Sequence, residues 1–117
     1  MTALVVAAVI AASPSFVFGR AGGNVVPVRA VIYPSGRVVN DQPESHLTRA
    51  KVTSLRRYAA AQGFAQIPRH IECPGVLPDI ATLYVKVGRA RTAFEHGSCN
   101  RRFDRVYAAL AKAVGEP

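Results

Sequence analysis

Two short motifs hold the residues best suited to chemistry: His70-Ile71-Glu72-Cys73 and His96-Gly97-Ser98-Cys99, each a histidine three residues ahead of a cysteine. Two readings follow. In an oxidising compartment Cys73 and Cys99 pair as one disulfide, closing a loop of about 27 residues and contributing roughly 3 to 4 kcal/mol by chain entropy. The same side chains, His70, Cys73, His96 and Cys99, also amount to a tetrahedral zinc set, and a metal there would likewise supply folding energy. Bound zinc with free thiols, or oxidised sulfurs without metal, tells the two apart.

Catalysis finds little to work with. A Cys/His arrangement suits nucleophilic attack only while the thiol is free, and neither a nucleophile elbow nor a phosphate-binding loop is present. Glu72, Asp79, Glu95 and Asp104 show no spacing that marks a catalytic carboxylate pair. The expectation is a protein that acts by binding, not as an enzyme, with no small-molecule cofactor.

Fifteen Lys and Arg against seven Asp and Glu give a net charge of +8, dispersed along the chain. Such a field favours anionic partners. Two helical stripes carry the candidates, Arg49, Arg56 and Arg57 on one and Arg101, Arg105 and Lys112 on the other. Both also serve as ordinary solvated faces. An anionic polymer of the cell envelope fits them better than single-stranded nucleic acid, because no aromatic residues interleave these cations to form a stacking platform. Protein recognition, including protease inhibition, is the alternative. Residues 71–79 present Val76 and Leu77 between Pro74 and Pro78, and a covalent bridge beside such a segment lowers its ordering cost on binding. The plainer reading is a connecting loop whose apolar residues tuck under a sheet.

These residues need a scaffold, and 117 residues provide one domain. The stretch 3–12, ALVVAAVIAA, is an uncharged apolar run of signal-peptide length and too short to span a bilayer. Cleavage after Gly19 or after Ala21 is expected, giving a signal peptide at 1–19, a single domain at 20–117, no transmembrane anchor and a secreted or periplasmic location. Met1-Thr2 lacks the positive charge of a normal signal, which points to a start upstream; the other reading of 3–12 is a core strand or helix.

Along the remaining chain, 25–32 alternates as a strand and Tyr33-Pro34-Ser35-Gly36 turns it back through 37–39. Residues 40–45 form a polar loop. Thr48 caps a first helix with Leu47 and Val52 as its hydrophobic staple, and Gly63 ends it. Residues 67–78 resist regular structure. A second hairpin follows, its runs joined through Gly88-Arg89, and Asn100 caps a last helix with Phe103, Val106, Tyr107, Leu110 and Val114 as its apolar stripe. The order ββαββα predicts an α+β domain: a mainly antiparallel sheet, two helices on one face and one disulfide.

The Ser35-Gly36-Arg37 turn, the 47–64 helix ending in Gly63-Phe64, and the hairpin before a closing amphipathic helix resemble small bacterial exported proteins of unknown function. More loosely, the pattern is similar to emfourin-like inhibitors of thermolysin-type metalloproteases. That resemblance covers most of the mature chain at the level of fold, implies inhibition as an activity to test, and transfers no inhibitory residue. The cysteine pair and the signal depart from it.

Overall fold

The computed structural model describes residues 13–41, 45–89 and 91–115. The apolar run 3–12 expected as a signal lies outside them, as do residues 42–44 of the expected polar loop. In chain order the elements are β1 (Phe16–Ala21), β2 (Val28–Ile32), β3 (Arg37–Val39), β4 (Ser45–His46), α1 (Arg49–Ala61), a single 3-10 turn (Phe64–Gln66), β5 (His70–Glu72), β6 (Thr82–Val87), β7 (Arg91–His96) and α2 (Arg101–Val114). The strands form one sheet in the order β4-β3-β2-β1-β6-β7-β5. Every pairing is antiparallel except β5 with β7. The α+β class, the mainly antiparallel sheet and the two helices are as expected.

Three strands lie outside the expected ββαββα order. The largest correction is β1, which sits at the centre of the sheet between β2 and β6. Its alternation puts Phe16 and Phe18 in the core, both essentially without exposed surface. The expected boundary between Gly19 and Arg20 lies within the span of this strand. β4 lies at the end of the expected polar loop, and β5 lies within the segment expected to be irregular.

Both helices form for the local reasons read from the sequence. Thr48 Oγ1 accepts the N–H of Lys51 at 3.0 Å and Asn100 Oδ1 accepts that of Phe103 at 3.0 Å, each relieving an orphan donor of a first turn. Val52, Leu55 and Ala59 of α1 and Phe103, Val106, Leu110 and Val114 of α2 are buried in the same core as Phe16, Phe18, Ile32 and Val85. Tyr107 meets Phe18 edge-on with ring centroids 5.7 Å apart, which seats α2 against β1. In the β6–β7 hairpin Val87 pairs with Arg91 and Thr82 with His96. Among the described residues no helix is long and apolar enough to cross a membrane.

Candidate functional site: a cystine-anchored loop

The parallel strand β5 explains how the cysteines meet. It lies beside β7 with His70 opposite Phe94 and Glu72 opposite His96, so the residues leaving the two strands emerge side by side. Cys73 continues the ladder by donating its N–H to the His96 carbonyl at 3.0 Å. The Cys73–Cys99 disulfide closes there with Cα atoms 5.8 Å apart. The hairpin alone does not set this geometry, because its open end pairs Thr82 with His96 and leaves Cys73 to be placed by β5. Gly97 makes the approach possible. A Cβ on it would stand 2.5 Å from Cys73 Cβ and 2.6 Å from Val76 Cγ2, and its φ of +109° is one that only glycine adopts readily.

The two histidines do not join the sulfurs. His70 stacks on Phe94 with centroids 5.3 Å apart and planes 6° from parallel. His96 lies between Glu72 Oε2, 3.2 Å from its Nδ1, and the Ile80 carbonyl, 3.1 Å from its Nε2. Among the described residues the ligand atoms that do converge are Cys73 Sγ, Cys99 Sγ and a Glu95 oxygen, all within 4.8 Å of one another. The sulfurs are bonded to each other, and the carboxylate has a different task.

That task is at the start of α2. Glu95 is fully buried, and its Oε2 accepts the N–H groups of Asn100 at 2.9 Å and Cys99 at 3.4 Å. Burial pushes its carboxyl up to about 7, and the neighbouring Asp104 adds to the rise. The two backbone donors oppose that shift without cancelling it. Ser98 Oγ in turn donates to Asp104 Oδ2 at 2.9 Å.

Between the cystine and β6, residues 73–80 form a loop held at several points. Asn24 N–H donates to the Asp79 carbonyl at 3.1 Å, His96 reaches the Ile80 carbonyl, and Ile80 N–H closes back on Leu77 O at 3.2 Å. Val76 is half-buried against Gly97, as a connecting loop would have it. Leu77 is not tucked away. It is 64% exposed, and Ile80 and Val25 are also exposed beside it. These three residues line an open depression of about 590 Å3 with Leu83, Arg20 and Asp79. Val26, 79% exposed, continues the apolar surface along the β1–β2 connection.

The six cations singled out in the sequence, Arg49, Arg56, Arg57, Arg101, Arg105 and Lys112, are all exposed on the two helices. Arg105 Nη1 lies 3.4 Å from Gln62 Oε1, which links the two helices directly. None of the six is ion-paired among the described residues. A second cationic group escaped the helical patterning: Arg69, Lys86, Arg89 and Arg91 gather around a cavity of about 300 Å3. Lys86 was visible in the alternation of β6, on the side away from Leu83, Val85 and Val87, but Arg69 joins it only through the β5–β7 pairing.

Comparison with protein-family models, with curated proteins and with solved structures gives no match for this chain.

Proposed function

We propose that the protein acts by binding rather than catalysis, as an exported protein-recognition module whose contact segment is the cystine-anchored loop 73–80. The observation that carries this reading is Leu77, a large apolar side chain turned to solvent from a loop restrained on both sides. A restrained loop loses little conformational freedom on binding, and exposed apolar side chains grouped around a depression are what a protein partner would cover. Protease inhibition is the form of recognition to test first, in line with the resemblance to emfourin-like inhibitors. In this reading the location is secreted or periplasmic, no cofactor is needed, and any signal cleavage occurs upstream of Phe16.

Residual activity of a thermolysin-type metalloprotease and of a serine protease with an apolar specificity pocket, titrated with the protein, tests this directly. Stoichiometric inhibition that Leu77→Asp abolishes and that Arg101→Ala/Arg105→Ala/Lys112→Ala leaves intact supports it. Full protease activity at a large excess of the protein removes inhibition from the account.

A second reading, binding to anionic envelope polymer, is favoured by the six exposed helical cations that lack ion-pair partners among the described residues. Retention on heparin beyond about 150 mM salt, lost in the triple helix variant, supports that reading.

A further inference from the structure

We propose that the sheet face opposite the helices binds single-stranded nucleic acid, stacking bases along Tyr84, Phe94 and His70 and holding phosphates with Arg69, Lys86 and Arg89. This site is separate from the 73–80 loop and stands or falls without it.

The register fixes which side chains share that face. Phe16, Phe18, Val85 and Ala93 point into the core, so their neighbours Val17, Gly19, Tyr84, Lys86, Thr92 and Phe94 belong to the other side. No helix covers it. Three rings cross three adjacent strands there: Tyr84 on β6, Phe94 on β7 and His70 on the edge strand β5. Their centroids are spaced 6.3 Å and 5.3 Å.

Tyr84 reaches across a glycine. It pairs with Gly19, and its hydroxyl reaches over β1 to the Val28 carbonyl on β2 at 3.4 Å. A Cβ on Gly19 would stand 2.9 Å from that hydroxyl. This contact leaves the Tyr84 plane 42° from that of Phe94, whose ring runs parallel to His70, so a base would stack on the outer faces of the row and not on one flat platform.

Charge complements the rings. The 300 Å3 cavity is lined by the His70 and Phe94 rings together with Arg69, Lys86, Arg89 and Arg91, and no carboxylate of the described residues lines it. Arg91 is committed to the Ile67 carbonyl, and Arg89 Nε donates to Ser13 Oγ at 2.9 Å. Arg69 and Lys86 have no anionic partner among the described residues. Arg29 extends the positive field to the Tyr84 end, where it acts on the phenol. Among the described residues the acidic side chain on this face is Glu72, exposed, with its Oε2 3.2 Å from His96 Nδ1. A polymer with charge alone would use the cations and ignore the rings. One that alternates charge with planar rings uses both, and single-stranded nucleic acid is that polymer.

Fluorescence anisotropy with a labelled oligothymidylate of about twelve residues, beside a labelled heparin fragment of similar charge, separates the two. Phe94→Leu keeps an apolar side chain and removes the ring; it is expected to weaken oligothymidylate binding roughly 5- to 100-fold and to leave heparin binding within about twofold. Lys86→Ala is expected to weaken both ligands and to reduce the salt slope for the oligonucleotide by about 0.7. Thermal melting confirms that each variant is folded. Three results would overturn the proposal: no oligothymidylate binding at about 50 mM salt, equal affinity of wild type and a folded Phe94→Leu, or loss of binding only on removing Arg101, Arg105 and Lys112.

Discussion

Glu95 Oε2 accepts the backbone N–H of Asn100 at 2.9 Å, so a fully buried acid caps the helix that follows the second cysteine. The positive end of α2 favours the ionised form, whereas burial and the neighbouring Asp104 disfavour it. Burial prevails, since the carboxyl is raised to about 7.

Stability should therefore depend on pH in a specific direction. An unfolded carboxyl titrates near 4.5 and the folded one at about 7, so between these values the folded chain keeps a proton that the unfolded chain has released. The stabilisation is complete below the unfolded value and is lost as pH rises through the folded one. Melting temperature should fall from about pH 5 to about pH 8. Glu95→Gln stays neutral and keeps an acceptor, so its profile should be flatter; an unaltered slope would assign the effect to other groups.

The cystine and Gly97 act as one unit. Replacing both Cys73 and Cys99 with Ser should lower stability by about 3 to 4 kcal/mol, read from urea unfolding. Gly97→Ala should lower it by about 2 kcal/mol or more with the disulfide intact, because the added Cβ meets Cys73 and Val76 at a positive φ. Native mass showing the bridge formed in that variant separates strain from failed oxidation.

β1 should be indispensable. Phe18→Ala should cost about 3 to 5 kcal/mol, since the side chain is buried between the sheet and Tyr107. A chain beginning at Arg20 should show no cooperative unfolding transition. Edman sequencing of exported protein should give an N-terminus upstream of Phe16, and a start at Arg20 or Gly22 on folded material would contradict the position of β1.

Leu77 should matter to binding and not to folding. Leu77→Asp on an exposed loop should change stability by no more than about 0.5 kcal/mol. A large drop in melting temperature would mean that Leu77 supports the loop instead of contacting a partner.

The helices and the second hairpin were legible because each carries its own punctuation: Thr48, Asn100 and Gly115 mark ends, and the alternation around Val85 marks a half-buried strand. β1 was hidden by its neighbour. Its Phe-Val-Phe follows an apolar run that already reads as an address, so the period-two pattern of Phe16 and Phe18 merged with a longer apolar signal. β5 was hidden by its length, three residues between Pro68 and Pro74, and by parallel pairing, which no local pattern encodes. The same gap obscured the ring row. His70 reads as half of a histidine-cysteine motif in the sequence, while its actual neighbour is Phe94, which only the strand pairing brings alongside.

The place of β1 also sets an order of events in folding. The sheet consists of β2, β3 and β4 on one side and β6, β7 and β5 on the other, and β1 is the strand through which the two sides are hydrogen-bonded. Phe16 pairs with Ile32 nearby and with Val87 far along the chain. Each side assembles from mostly local contacts, whereas the seam between them closes only after β6 has been synthesised, against the entropy of a long loop. Docking β1 onto β6 is therefore expected to set the folding rate, leaving the edge of β6 unpaired until that step is complete.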